Sequence, residues 1–315
     1  MANNIIYSDN TSVKLVLKIL PKSNSKIQIQ EEKNVKKYIT GLGNHISKID
    51  GCISKSIQIF ISQRYTFFDN ISHFPSCQMF LRNPRNGIGN DKLVDKSDIP
   101  TALNYINEHK INYFTHAPYI INLSKPFTKN NPNCEKWVLG LLSKDLQTTS
   151  AIGGKGVVVH VGKAVGMDIN LALDRMELSI RTVLKDATEQ CPLLLETPAG
   201  EGTELCSTIE QLISFYKRFS EEDRKRFKIC VDTCHIFAAG YDPIDYMIEW
   251  ITNFPSSIAL VHFNDSQKPK GSKVDLHKNY MDDGFIGYER MSQIADWCHS
   301  NKIPMVIEGK KKKDK

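Results

Sequence analysis

The sequence lacks the features that mark membrane, secreted and repetitive proteins. None of its 315 residues belongs to a run of 18 or more apolar residues, so no transmembrane helix and no membrane partner are expected. The polar first ten residues have no apolar centre of the kind found in signal peptides. With 41% hydrophobic and 24% charged residues, the composition excludes collagen, coiled coil and wholesale disorder.

Paired cysteines are also missing. Eight cysteines occur but no two form a CxxC motif, and a chain of this length does not need disulfides to be stable. We expect free thiols in a reducing, intracellular compartment, the cytoplasm or nucleus. Cys230 and Cys234, which form a CxxxC pattern, are interpreted as buried thiols rather than metal ligands.

Short apolar runs alternate with amphipathic stretches along most of the chain. The runs lie at 77–81, 111–115, 156–159, 192–195, 228–231, 258–261 and 304–307, with a weaker eighth at 38–43. Helices are expected at 131–146, 168–190, 207–227, 243–253 and 288–301. Eight strand–helix units predict a (β/α)8 TIM barrel, with an open doubly wound sheet as the alternative.

Three parts of the chain do not fit a simple barrel. Residues 1–37 are interpreted as an N-terminal extension, an arm or small hairpin, before a barrel domain at 38–309. Residues 310–315 form a basic tail, and the expected C-terminal end is shortened. The segment 50–76 is ambiguous, because its β-branched run Ile57–Ile61 favours a strand where the barrel order requires a helix.

Histidines are scarce, but most of them follow predicted strands. Of nine histidines, five fall at or just beyond strand ends, together with four carboxylates. In a barrel these ends converge on one face, which holds the active site. The set is His116, His160, Glu196, Asp232, His235, His262, Asp275, His277 and Glu308. Nine such side chains exceed one tetrahedral site, so they predict a polynuclear centre for zinc or a similar divalent ion.

Several longer motifs resemble one known family. The segments are 116–123 (HAPYIINL), 195–205 (LETPAGEGTEL), 230–242 (CVDTCHIFAAGYD), 262–266 (HFNDS), 271–277 (GSKVDLH) and 284–287 (GFIG). In this order and at this length they resemble the endonuclease IV family, the family-2 apurinic/apyrimidinic endonucleases. The composition, rich in Asn, Lys and Ile, is in keeping with a divergent viral member, for which the virion or viral factory would be the compartment.

The resemblance implies a (β/α)8 barrel with three zinc ions, one of which manganese can replace. His116, His160 and Glu196 would hold the first ion. Glu196 would bridge to the second and orient the attacking hydroxide. The second ion would also be held by Asp232, His262 and Glu308, and the third by His235, Asp275 and His277.

The resemblance also implies an activity and a partner. The expected reaction is hydrolysis of the phosphodiester 5′ to an abasic site, leaving a 3′-hydroxyl and a 5′-deoxyribose phosphate. A 3′-phosphatase or 3′-phosphodiesterase activity is expected from the same site. The partner would be double-stranded DNA with abasic or 3′-blocked lesions, bound by a monomer. Arg85, Tyr119 and Ile120 match the positions at which the family fills the opened helix.

Two departures and two alternatives accompany this interpretation. Leu276 stands where the family commonly has arginine, and Val161 where it often has proline. A sugar isomerase or epimerase on a related barrel is the first alternative, but it would need neither the third group of ligands nor the arginine-containing loop at 82–85. A non-catalytic lesion binder is the second, and it would have no use for a complete ligand set.

Overall fold

Each apolar run becomes a strand of one closed barrel. The computed structural model describes residues 41–46, 52–64, 75–85, 95–125 and 134–308. The barrel strands are β1 (Leu42–His45), β2 (Ser76–Met79), β3 (Asn112–His116), β4 (Val157–His160), β5 (Leu193–Glu196), β6 (Phe227–Asp232), β7 (Ile258–His262) and β10 (Met305–Ile307). The predicted extension at 1–37 and tail at 310–315 lie outside the described residues.

The strands are parallel, and the ring closes between the first and the last. β1 pairs with β2 on one side and with β10 on the other, and the remaining strands follow in chain order. This closure confirms the TIM barrel and excludes the open doubly wound sheet. A small antiparallel ribbon, β8 (Asp265–Ser266) and β9 (His277–Lys278), lies in the segment between β7 and β10.

Helices follow most of the barrel strands. In the described residues they are α1 (Ile53–Arg64), α2 (Ile99–Glu108), α3 (Cys134–Ala151), α4 (Ile169–Val183), α5 (Ile209–Tyr216), α6 (Glu221–Lys225), α7 (Thr233–Ala238), α8 (Pro243–Asn253) and α9 (Tyr288–Ser300). The stretch predicted as one helix at 207–227 is two. The Ser220 hydroxyl accepts a hydrogen bond from the Asp223 amide and starts α6, after which Phe227 begins β6.

The ambiguous segment is helical, as the barrel order requires. Ile53, Ile57 and Phe60 are buried at a spacing of four and three residues, which places them on one face of α1. They belong to the same apolar cluster as Cys77 and Met79 of β2. The strand propensity of the β-branched residues in this segment is weak, and tertiary packing overrides it.

Side chains fill the interior of the barrel. One buried cluster takes a residue from each of six strands, namely Phe114, Val158, Leu194, Cys230, Leu260 and Val306. A larger cluster joins the outer faces of the strands to the surrounding helices. The barrel is thus closed by packing below the carboxyl ends of its strands. None of the described helices combines the length and hydropathy that a membrane crossing requires.

Asp98, which directly precedes α2, caps the N-terminus of α1. Asp98 Oδ2 accepts hydrogen bonds from the amides of Ile53 (2.8 Å) and Ser54 (3.0 Å), and Oδ1 accepts from the Cys52 thiol (3.0 Å) and the Ser54 hydroxyl. Burial alone would raise the pKa of Asp98, but the hydrogen bonds from Ser54 hold it below the ordinary value. This carboxylate therefore contributes stability above its unfolded pKa of 3.8, and loses it as the pH falls.

Asp98→Ala is expected to lower the free energy of unfolding by about 1 to 2 kcal/mol at about pH 7, because α1 loses its cap. The difference from wild type should shrink at about pH 3, where protonation of the carboxyl weakens the cap. Urea unfolding at the two pH values measures it. Asp296→Ala, at an exposed position of α9, is the control. An equal loss at both pH values would contradict the role of the charge.

Candidate metal centre

Glu196, the last residue of β5, is the shared centre of the site. Its side chain is fully buried. Glu196 Oε2 lies 3.2 Å from His116 Nε2 and 3.0 Å from His160 Nε2, while Oε1 lies 3.0 Å from His262 Nδ1. The parallel register explains the meeting, because His160 of β4 is the direct partner of Glu196 and His262 of β7 is the partner of Asp232.

The structure brings all nine predicted side chains together at the carboxyl ends of the strands. Their ligand atoms form three groups within 4.8 Å: His116, His160 and Glu196; Glu196, Asp232, His262 and Glu308; and His235, Asp275 and His277. These are the same three sets that the family resemblance implies. Within the described residues a fourth grouping places Cys234 beside Asp232 and His277.

Two of the histidines use one ring nitrogen to fix the direction of the other. His116 Nδ1 donates to the carbonyl of Ala117 (2.7 Å), and His235 Nδ1 donates to the carbonyl of Thr197 (2.8 Å). Because a carbonyl only accepts, the second nitrogen of each neutral ring keeps its lone pair for the centre.

Asp232 serves the helix and the centre at once. As the N-cap of α7, its Oδ1 accepts a hydrogen bond from the His235 amide at 3.0 Å. Its Oδ2 accepts from Asn264 Nδ2 at 2.7 Å and lies 3.5 Å from His277 Nε2 and 3.7 Å from His262 Nδ1. One carboxylate therefore joins the second and third groups while it starts the helix that carries His235.

The third group depends on the ribbon outside the barrel. His277 is on β9, and Asp275 precedes it, with its amide donating to Glu201 Oε1 at 2.8 Å. Asp265 of β8 anchors this segment by accepting from the amides of Ser266, Ile286 and Gly287. Gly284 leaves room for this anchor, because a Cβ added there would overlap the Asp265 carboxyl group.

Charges in the centre stabilise one another. Burial alone would raise the pKa of Glu196, but the charges of His160 and His262 hold it well below the ordinary value. Burial alone would lower the pKa of His277, but the charge of Asp232 raises it to about 9. Without added cations, the four carboxylates thus depend on protonated histidines for compensation.

The donor set fits zinc. Imidazole nitrogens and carboxylate oxygens are zinc ligands, and two of them on one tetrahedral ion at about 2.1 Å lie about 3.4 Å apart. The His–Glu196 distances above are somewhat shorter than this, as are 3.1 Å and 2.9 Å from Asp275 oxygens to His235 Nε2 and His277 Nε2, so the donor atoms are close enough to share an ion. Both Nε2 atoms are buried, and neither is aligned for a hydrogen bond, although each lies within 3.1 Å of an Asp275 oxygen. Two buried imidazole nitrogens that converge on one carboxylate without aligned hydrogen bonds form a set that an ion would satisfy.

One of the predicted DNA-binding residues, Tyr119, contacts this centre, and the other two lie on the same or the adjoining loop. Tyr119 is 54% exposed, its ring stacks on His160 at 5.5 Å between centroids, and its amide donates to the carbonyl of Pro84 at 2.8 Å. That bond joins the loop after β3 to the loop carrying the exposed Arg85. Ile120, next to Tyr119, is half-buried, so it offers the least surface of the three.

The other arginine of that loop has a structural partner. Arg82 donates from Nε (3.0 Å) and Nη2 (2.6 Å) to Asp145 Oδ1 of α3, where Asp145 is fully buried. Arg85 makes no ion pair among the described residues, and only its amide is tied, to Asn83 Oδ1 at 2.9 Å. The structure therefore separates a locked arginine from one that is exposed.

The cysteines do not change the assignment of the nine His, Asp and Glu side chains as candidate metal ligands. The seven described cysteine side chains are free thiols, as expected. Cys230 and Cys234 are fully buried, and burial raises the pKa of each to about 12. Cys230 packs inside the barrel with the strand residues below the centre.

Sequence reasoning missed the neutral residues that support the ligands. Gln78, Thr197 and Asn264 are all fully buried and hydrogen-bonded to members of the three groups. His45, at the end of β1, is close as well: its Nδ1 lies 3.9 Å from Glu308 Oε1, and burial lowers its pKa to about 4. A polar residue at a strand end is the available signal, but a neutral amide or hydroxyl there does not stand out as a zinc ligand.

Comparison with known proteins agrees with the fold and shows the family. A family model described as a xylose isomerase-like TIM barrel matches residues 73–308. "Probable endonuclease 4" of Symbiobacterium thermophilum is 33% identical over 237 residues, which cover 73% of this chain and 82% of that protein. "Putative endonuclease 4" of Acanthamoeba polyphaga mimivirus is 30% identical over 284 residues, 85% of each chain.

A solved structure supports the same conclusion about the fold. The crystal structure of endonuclease IV from Thermus thermophilus has a TM-score of 0.69 to this chain, at 20% identity, over 86% of this chain and 93% of that one. The sequence matches and the family model each span most of this chain. This chain belongs to the endonuclease IV family, on a xylose isomerase-like TIM barrel.

Proposed function

We propose that the protein is a zinc-dependent DNA repair endonuclease that hydrolyses the phosphodiester 5′ to abasic sites. The observation that carries the proposal is the arrangement of nine side chains in three groups: Glu196 belongs to the first and the second, and Asp232 of the second lies 3.5 Å from His277 of the third. Zinc, when bound, would supply a hydroxide near neutral pH and offset the charge that develops on the phosphate. The products would be a 3′-hydroxyl and a 5′-deoxyribose phosphate.

The protein's own residues would position the reacting groups. Glu196 is held by imidazoles on both of its oxygens, so its orientation is fixed before substrate arrives. Tyr119 covers His160 and leaves an exposed aromatic face beside the centre. That face would replace the stacking lost when the abasic nucleotide leaves the helix, and the neighbouring Ile120 would add apolar contact.

A sugar isomerase or epimerase remains the alternative, since the barrel itself suits both activities. The third group favours the nuclease. His235, Asp275 and His277 form a further ligand set, and a sugar enzyme with one or two ions has no use for it. Incision of a duplex carrying one tetrahydrofuran abasic analogue separates the two. Failure of metal-replete wild-type protein to cut this duplex would contradict the nuclease proposal.

Finer properties follow from the same proposal. We expect three zinc ions per chain, with manganese able to replace one, and 3′-phosphatase or 3′-phosphodiesterase activity at the same centre. The enzyme would act as a monomer on double-stranded DNA with abasic or 3′-blocked lesions. Free thiols throughout the described chain favour a reducing, intracellular compartment.

Arg85→Ala is expected to raise KM for the tetrahydrofuran duplex by about tenfold or more, because an exposed guanidinium that binds phosphate or enters the helix contributes about 1 to 3 kcal/mol. The unfolding midpoint should not change. Steady-state incision at several salt concentrations measures the effect. Arg82→Ala is the matched control: it should lower the unfolding midpoint, because buried Asp145 loses two hydrogen bonds. If Arg85→Ala bound and cut DNA as wild type does, its DNA-binding role would be wrong.

A further inference from the structure

β2 contributes no side chain to the three groups. Its residue Gln78 nevertheless contacts two members of the second group. It is fully buried and sits beside His45 in the strand register. Its amide touches His262 on one side and Glu308 on the other. Because Gln78 is uncharged, only its contacts identify it as part of the site.

The carboxylate of Glu308 determines the orientation of the Gln78 amide. Gln78 Nε2 lies 2.8 Å from Glu308 Oε1, and an ionised carboxylate only accepts hydrogen bonds. The nitrogen must therefore face Glu308, and it also donates to His45 Nδ1 at 3.1 Å. The opposite orientation of the amide would place two acceptor oxygens against each other.

This orientation in turn decides which ring nitrogen carries the hydrogen when His262 is neutral, as it would be when it binds a metal ion. Gln78 Oε1 lies 2.9 Å from His262 Nε2, so that nitrogen must carry the hydrogen. The lone pair of the neutral ring is then left on Nδ1, which lies 3.0 Å from Glu196 Oε1 and 3.3 Å from Glu308 Oε2. The same amide holds Glu308 Oε1 and leaves Oε2 for the centre.

We propose that Gln78 is a positioning residue that selects the metal-binding tautomer of His262 and the metal-binding oxygen of Glu308. One neutral amide thereby prepares two ligands of the second group without adding charge to a crowded centre. The inference rests on the proposed function only in taking this group as a zinc site. Outer partners of this kind are worth about 10- to 100-fold in metal affinity.

The test compares Gln78→Met with a matched control. Methionine keeps the length and burial of the side chain but offers neither hydrogen bond. Ser179→Ala is the control, because Ser179 is buried on α4 and donates to the carbonyl of Leu123 at 2.7 Å, away from the centre. Both variants lose buried hydrogen bonds, so thermal unfolding of the holoproteins shows how much stability each has lost.

The deciding measurement is zinc released from each holoprotein across a graded series of chelator concentrations. Gln78→Met should release one ion at about 10- to 100-fold less chelator than wild type, and Ser179→Ala should match wild type. Incision by Gln78→Met should show a lower kcat with unchanged KM for DNA. Equal zinc retention in the two variants would overturn the role of Gln78. Wild-type protein that retains zinc but does not cut DNA would contradict the proposed function alone, because the chelator comparison still decides the role of Gln78.

Discussion

Glu196→Gln is expected to abolish incision of the tetrahydrofuran duplex, with kcat lower by about 10³-fold or more. Removing a single donor that stabilises a transition state already costs about 10²- to 10³-fold, and Glu196 touches members of two groups. The amide keeps the shape of the side chain but turns one of its two acceptor oxygens into a donor. That donor would face either His262 or the pair His116 and His160. Single-turnover incision and zinc content, measured on the same sample, test the expectation.

The control for this substitution is Glu177→Gln. Glu177 is a carboxylate of α4 that pairs with Arg181 (2.9 Å) and Arg218 (3.2 Å) on the surface. It carries the same chemical change away from the centre, and it should cut DNA at the wild-type rate. Should Glu196→Gln retain both its zinc and more than about a tenth of wild-type kcat, the assignment of Glu196 as the shared ligand would be wrong.

Removal of metal is expected to have the second large effect. Mild EDTA and withdrawal of magnesium should leave incision intact, while exhaustive treatment with a strong zinc chelator should abolish it. The stripped protein should also be less stable. A ligand at about 1,000 times its Kd stabilises a fold by about 4 kcal/mol for each site. Zinc should restore incision and the unfolding midpoint together. Incision that survives complete loss of zinc would contradict the mechanism.

The stripped protein should also become less stable as the pH rises. Its carboxylates are then compensated by protonated imidazoles, and the charge of Asp232 helps raise the pKa of His277 from 6.5 to about 9 against the effect of burial. A raised pKa contributes stability that is complete below 6.5 and is lost as the pH rises through about 9. Thermal unfolding between these values should show a falling midpoint for stripped protein. A flat midpoint would show that protonated histidines do not take the place of the ions.

Much of the fold could be predicted because a strand buried on both faces leaves a clear apolar run. The runs at 192–195 and 258–261 each lie within one residue of β5 and β7. Local patterns failed where packing or capping decides. Ile57–Ile61 has the composition of a strand and is helical, since α1 packs on β2. Ser220 divides one predicted helix into two.

The candidate centre was predictable for a similar reason. Six of the nine side chains close or directly follow barrel strands, so position along the chain was enough to bring them to one small volume, whereas His235 lies on α7 and Asp275 and His277 lie on the segment that carries the ribbon. Their division into three sets came from the family resemblance, and the structure groups them in the same way. The role of Gln78 could not be predicted from the sequence, because an amide gains its role only from the partners that folding brings to it.

The ribbon formed by β8 and β9 has a consequence for how a barrel of this kind can change its metal content. Asp275 and His277 lie on an excursion that leaves the barrel after β7 and returns before α9, and no barrel strand pairs with it. The segment is anchored locally, by Asp265 and by backbone bonds from Gly271 and Lys273 to α7 residues. Insertion or deletion of this one segment would therefore add or remove two members of the third group, while the order of the strands in the ring stays the same.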